Sequence, residues 1–245
     1  FLQRNVIYKH PIPYIYNYSC VWLFFLEKNI QIKNIKITIM NIDDRKCHWN
    51  GIYDQKKMDE VSWFQKTPST SIELIKSLNL DLNASIIDIG GGDGFLVDHL
   101  ISMGFKDITV LDISLSAINK AKKRLGNKSS DVNWIVCDVS EFVPQKKYDL
   151  WHDRAAFHFL TEKNEIKHYK ETAEMTIKKN GALVIGTFSK NGPLKCSGIE
   201  ISQYSQVDLS SLFKDKFQLN KSFQIDHKTP FNTLQNFTFC SFIKN

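Results

Sequence analysis

The sequence predicts an α/β protein built on a doubly wound, seven-stranded, mostly parallel sheet, and three observations predict it. An apolar run, Ser85 to Ile89, breaks into glycines at 90, 91, 92 and 94 and then resumes with helical spacing from Phe95. Two further apolar runs, Ile108 to Asp112 and Val132 to Val139, follow at intervals of roughly 25 residues and end at acids, Asp112 and Asp138, as expected of parallel strands joined by helices. Near the end, Phe217 to Asp226 and Phe237 to Ile243 alternate apolar and polar residues, the pattern of an antiparallel pair at a sheet edge.

The chain has 245 residues, enough apolar content for one buried core, and five cysteines with no C-x-x-C or C-x-x-H pairing. That pattern points to a reduced, cytoplasmic protein without a metal site. Residues 1–39 hold Arg4, Lys9, Lys28, Lys33 and Lys36 against Glu27, so most of the net charge of +6 lies there. The rest is close to neutral and shows no basic stripe with interleaved aromatics, which argues against a nucleic-acid partner. The longest apolar run of the leader, Val21 to Leu26, is far shorter than the ~20 residues of a membrane span. The expected organisation is a poorly ordered or non-native extension at 1–39 and one domain at 40–245. Within that domain, a lid and helix (40–80) precede the sheet core (83–245).

Residues 44–64 crowd Trp49, Tyr53, Trp63 and Phe64 into a polar segment, either as core staples or as a lid whose Trp63 and Phe64 close over a ligand. Thr70 is expected to cap a helix at 71–78. The glycine turn then offers backbone without Cβ atoms and a helix N-terminus, a place for a carboxylate, a phosphate or an adenosine. Its spacing is G-x-G-x-G (Gly90, Gly92, Gly94), not the dinucleotide G-x-G-x-x-G, whose last position would fall on Phe95. A helix at 95–103 ends at Gly104. Asp112, with Ile113 after it, lies 24 residues beyond Asp88 and is placed to take both hydroxyls of a ribose. Ser114 or Ser116 begins the next helix, whose Lys120, Lys122, Lys123 and Arg124 read as a solvated face. Asp138 is placed to accept from an adenine amino group, with the Val139 N–H reaching a ring nitrogen.

Tyr148 to Leu160 carries the fourth strand and its exit, where His152, Asp153 and His158 are the acid/base candidates and Arg154 is suited to an anionic acceptor or to pairing with Asp153. A helix at 162–178, stopped by Asn180-Gly181, leads to a fifth strand at 182–188. A loop at 189–206 and a short helix at 207–212 precede the edge pair.

The segment Asp88-x-Gly90-x-Gly92-x-Gly94 resembles the first motif of the class I S-adenosylmethionine-dependent methyltransferases. The resemblance implies the strand order 3-2-1-4-5-7-6 and S-adenosylmethionine as cofactor. It also implies in-line methyl transfer to a small molecule or a protein side chain. Trp49-x-x-x-Tyr53 and Ser62-Trp63-Phe64 are similar to a segment that small methyltransferases carry ahead of this motif. Asp153-Arg154-Ala155 is similar to the strand exit of thiopurine-methyltransferase-like and type 11/12 domains, and differs from the [DN]-P-P-[YF] exit of nucleobase amino-methylating enzymes. No Pro-Cys nucleophile is present, which removes the cytosine-C5 mechanism. The expected partner is a small-molecule or side-chain acceptor, with no membrane, for a monomer. The rival readings are a cofactor-binding protein without turnover and a nicotinamide-type oxidoreductase, the latter disfavoured by Phe95.

Overall fold

The computed structural model describes residues 41–245; the expectation for 1–39 lies outside them. The chain runs through α1 (Ile42–Gln55), α2 (Ser69–Ser77), β1 (Ser85–Ile89), α3 (Leu96–Ser102), β2 (Asp107–Asp112), α4 (Leu115–Leu125), β3 (Val132–Val136) and β4 (Tyr148–Arg154). It continues through α5 (Lys163–Thr176), β5 (Ile177–Phe188), β6 (Lys195–Cys196), β7 (Ile199–Glu200), α6 (Gln206–Phe213), β8 (Phe217–Lys228) and β9 (Leu234–Lys244). The main sheet has seven strands in the order β3-β2-β1-β4-β5-β9-β8. With the small β6–β7 hairpin set aside, this is the expected 3-2-1-4-5-7-6. β1 to β5 are parallel and β9 is antiparallel to both β5 and β8.

β1 is buried along its whole length, which fits its three isoleucines, with Ser85 and Asp88 the two polar positions. Leu74, Ile75, Leu96, Leu100 and Ile118 from α2, α3 and α4 cover one face of the sheet. Tyr169, Ala173, Leu209 and Phe213 from α5 and α6 cover the other. Because successive strand residues point to opposite faces, β4 sends Leu150 to the first layer and Trp151 to the second. No helix of the described residues is long and apolar enough to cross a membrane.

Several local expectations are corrected. Residues 42–55, most of them in the 44–64 segment read as core staples or a lid with no helix expected, form a helix whose N-cap Asn41 accepts from the Asp44 N–H at 2.9 Å. Pro68 takes the N-cap position of α2, and Thr70 lies inside that helix. β3 ends at Val136, so Asp138 instead caps a 3-10 turn at Val139–Glu141, accepting from the Ser140 N–H. Asn180-Gly181 is not a helix stop. β5 begins at Ile177, immediately after α5, and Asn180 (φ 61°) sits in an irregular stretch where the register with β4 shifts between Tyr148 and Leu150.

The charge run on α4 is also only partly solvated. Lys120 Nζ reaches the carbonyls of Tyr53 and Lys56, the latter at 2.9 Å, and so holds the C-terminal end of α1, where acceptors are otherwise unpaired. Arg124 donates to the carbonyls of Asp93 and Gly94, each at 2.8 Å, pairs with Asp93 and Asp98, and lies over the Phe95 ring. It clamps the glycine turn from outside. Ser114, one of the two expected starts, caps α4 by accepting from the Ala117 N–H at 3.1 Å.

Candidate active site

β1 and β4 are neighbours, while the helices that follow β1 and β4 leave toward opposite faces of the sheet; at such a divergence α/β sheets open a crevice. A cleft lies there, lined by the strand tips Asp88, Ile89, Gly90, Gly91, Gly94, Asp112, Ile113, Asp138 and Val139. α1 and the segment after it supply Trp49, Tyr53 and Trp63 to its outer wall. Gly92, by contrast, is covered: a Cβ built there would meet the Tyr53 hydroxyl at 2.8 Å and Asp112 Oδ2 at 2.9 Å.

The turn requires glycine at two positions in particular. Gly90 (φ +65°) and Gly92 (φ +47°) occupy the left-handed region. A Cβ at Gly90 would also overlap the Ala156 Cβ at 2.6 Å. Gly90→Ala is expected to cost about 2 kcal/mol, lowering Tm by ~4–8 °C. A melting curve unchanged from wild type would show that the turn relaxes at no cost.

Asp112 is buried, and its Oδ1 accepts from the Ser114 N–H at 2.7 Å. Burial pushes its carboxyl up to about 7, against hydrogen bonds from the Ser114 and Gly92 N–H groups, with the nearby Asp88 charge adding to the rise. Asp138 is neutralised by Arg45 of α1 at 3.0 Å, and the same guanidinium reaches Glu165 at 2.7 Å. Asn50 of the same helix accepts from Ser114 Oγ (2.9 Å) and the Ser116 N–H (3.1 Å). Through these two side chains α1 is tied to the tips of β2 and β3, and both were missed in the sequence because their partners are about 65 and 90 residues away.

The three acid/base candidates separate. His152 lines the cleft, but both ring nitrogens are engaged, Nδ1 with Asp88 Oδ1 at 2.7 Å and Nε2 with Ser71 Oγ at 2.9 Å. Asp153, the next strand residue, faces the other side of the sheet. It is fully buried, accepts from the Ala156 and Phe157 N–H groups at 3.0 and 3.1 Å and from the Tyr169 hydroxyl at 2.8 Å, and is not among the cleft-lining residues. It therefore does not pair with Arg154. His158 is also buried away from the cleft, between Phe159 and Phe188, its Nδ1 accepting from the Phe188 N–H at 3.2 Å. Burial, aided by the charge of Arg154, pulls it down to about 3, so it is neutral. Trp63 lies in the cleft wall, edge-on to Trp49 and Tyr53, whereas Phe64 turns to Phe95 and lines a second groove. Arg154 and Gln65 line both cavities.

These residues fit an adenosyl cofactor on geometric grounds: a buried acid beside a turn with no room for a Cβ, and two further acids and a buried valine on adjacent strand tips. Comparisons with known proteins agree. Residues 80–237 match the model of a family described as a methyltransferase domain. The chain is 26% identical over 189 residues to malonyl-[acyl-carrier protein] O-methyltransferase 2 of Ilyobacter polytropus, covering 73% of this chain and 71% of that protein. It is 29% identical over 106 residues to N-terminal Xaa-Pro-Lys N-methyltransferase 1-A of Xenopus laevis, covering 42% of this chain and 46%, about half, of that protein. Its fold is similar to that of the N-methyltransferase NodS from Bradyrhizobium japonicum, solved with S-adenosyl-L-homocysteine: TM-score 0.59, 14% identity, 80% of this chain and 97% of that one.

Proposed function

The chain belongs to the methyltransferase-domain family and is an S-adenosylmethionine-dependent methyltransferase, and from that premise we propose that it acts on a small-molecule acceptor held at the Arg154 end of the cleft. The supporting observation is the convergence of Asp88, Gly90, Asp112, Asp138 and Val139 on one crevice that α1 covers with aromatic side chains. Asp112 takes the ribose hydroxyls, Asp138 and the Val139 N–H take the adenine, and the turn from Asp88 to Gly94 receives the amino-acid end. Ile113 lines the wall between them. Two relatives are named for malonyl-[acyl-carrier protein] and for Xaa-Pro-Lys N-termini, so a carried acyl group and a protein chain end both occur among the acceptors of similar proteins.

When bound, the sulfonium supplies a methyl group that needs no further activation, and what remains for the protein is position. Aligning acceptor and methyl can be worth up to ~7–11 kcal/mol of the barrier. Trp49, Tyr53 and Trp63 exclude water from that approach. His152 holds Asp88 and Ser71 in register and Asp153 holds the β4 exit, so neither is free to take a proton from the acceptor. An acceptor atom that is already unprotonated at neutral pH suits this site. We place the enzyme in the cytoplasm as a monomer acting on free acceptors, not on nucleic acid, in keeping with the near-neutral composition of residues 40–245.

The test is incubation of purified protein with methyl-labelled cofactor and separated metabolite and protein fractions. Label is expected in metabolites. Label in protein alone would move the acceptor to a side chain, and none in either, with S-adenosylhomocysteine still bound, would favour a binder without turnover.

A further inference from the structure

Beside the cofactor cleft lies a second groove of about 430 Å³, walled by Phe64–Thr67 and Thr70 on one side and by β8, β9 and their turn on the other. Its lining combines apolar surface (Phe64, Ile225, Pro230, Phe237, Phe239) with the cations Lys66, Lys228 and Arg154. The only carboxylate in that lining, Asp226, accepts from Asn236 Nδ2 at 2.7 Å. His227, also in the wall, is held between the Ser62 carbonyl at 2.7 Å and Gln65 Nε2 at 3.1 Å, and burial lowers its pKa, so it adds no charge at neutral pH.

Arg154 stands where the two cavities meet. Nη1 donates to the Trp63 carbonyl at 3.2 Å and the guanidinium lies 5.6 Å from the centre of the Phe237 ring. Nη2 is buried and has no partner among the described residues, and Oε1 of Gln65, which lines the same two cavities, is buried and unpartnered too. A buried guanidinium with an unused donor is expensive to keep unless something accepts from it. Among the described residues no carboxylate makes an ion pair with it: Asp153 faces the other side of the sheet, and Asp88, whose charge acts on Arg154 from a distance, gives Oδ1 to His152. Burial pulls Arg154 down to about 10, which leaves it cationic at pH 7.

We propose that the second groove is the acceptor site and that its occupant is a small molecule with an apolar body and a carboxylate, the carboxylate held by Arg154 Nη2 at the junction with the cofactor cleft. This deepens the function proposed above and rests on it. Gln65, with its unpartnered oxygen at the same junction, is suited to a donor on the acceptor next to the carboxylate. Lys66 and Lys228 give the mouth a positive potential that draws an anion in.

The experiment uses the full chain loaded with S-adenosylhomocysteine and two probes of equal size, hexanoate and hexanamide. Calorimetry is expected to show the acid binding about ten-fold or more tighter than the amide, the range for one buried charge-assisted hydrogen bond. Arg154→Gln should abolish that preference and Arg154→Lys should keep part of it, a charge-assisted contact being local to the acceptor. Equal binding of acid and amide to wild type would overturn the proposal, and does not depend on either variant folding. So would an undiminished acid preference in Arg154→Gln. Failure of the wild type to bind S-adenosylhomocysteine would instead strike the cofactor assignment. Labelled products confined to acids and methyl esters of acids would add support, and products confined to compounds that carried no carboxyl group before methylation would count against the carboxylate.

Discussion

Asp112→Asn is expected to weaken S-adenosylhomocysteine binding by about 100-fold, roughly 2.7 kcal/mol, as two ribose hydroxyls lose a charged acceptor. The same change should remove a pH dependence whose sign follows from burial. The Asp112 carboxyl is raised from 3.8 to about 7 in the folded chain. A group raised on folding contributes stability that is complete below its unfolded pKa and is lost as pH climbs through its folded one. Asp112 therefore makes the cofactor-free protein less stable between pH 4 and 8, by at most about 4 kcal/mol at roughly 1.36 kcal/mol per pKa unit. Hydroxyls donating to the carboxylate favour its ionised form, so binding lowers that pKa and affinity should rise toward a plateau above pH 7.

Calorimetric titrations between about pH 5.5 and 8.5 should show wild-type affinity improving close to ten-fold per pH unit below 7, the limit for one coupled proton. The Asp112→Asn profile should be flat, with a Tm at pH 8 no lower than wild type because an amide oxygen remains for the Ser114 N–H and no buried charge is left to desolvate. Wild-type affinity independent of pH, or unchanged affinity in the variant, would remove Asp112 from the ribose site.

What the sequence disclosed was whatever depends on local spacing. The Asp88-to-Gly94 turn, the acids at and just beyond the ends of β2 and β3, and the alternation of β8 and β9 each declare themselves within about a dozen residues and mark the strands and the cleft, whereas the strand order came with the resemblance to class I methyltransferases. Long-range satisfaction was illegible. Nothing in α1 shows that Arg45 will be buried on Asp138 and Glu165, or that Asn50 will serve as a cap for a helix that starts at Leu115. Lys120 and Arg124 read as solvated because charge runs on helices mostly are; their acceptors are the last carbonyls of α1 and the glycine turn. His152 and Asp153 were grouped because they are adjacent. Adjacency in a strand means opposite faces, but the sequence did not reveal that β4 extends as far as Arg154.

That last point yields the second large effect. Asp153→Ala is expected to cost about 3 kcal/mol, or ~6–12 °C in Tm for a chain of this size, because three donors lose one acceptor set in a dry interior. The donors are the Ala156 and Phe157 N–H groups, which turn the chain out of β4, and the Tyr169 hydroxyl, which also accepts from Trp151 Nε1 at 2.9 Å. Losing them loosens the exit that carries Ala155 and Ala156 past Gly90 and fixes Arg154 at the junction of the two cavities.

Asp153→Asn discriminates between support and proton transfer. Its carbonyl oxygen still accepts from the Ala156 and Phe157 N–H groups, so most of the loop geometry survives, while an amide cannot act as a base. Burial pushes the Asp153 carboxyl up to about 6, against the hydrogen bonds from Ala156, Phe157 and Tyr169. Being raised on folding, it stabilises the chain most fully below its unfolded 3.8 and loses that contribution through about pH 6, so Asp153→Asn should close its Tm gap to wild type as pH rises from 5 to 8. Turnover of Asp153→Asn should stay within about ten-fold of wild type, with the pH profile unchanged. A loss in the ~10²–10⁴ range of a removed general base, with Tm intact, would place Asp153 in proton transfer and require the β4 exit to move during the reaction.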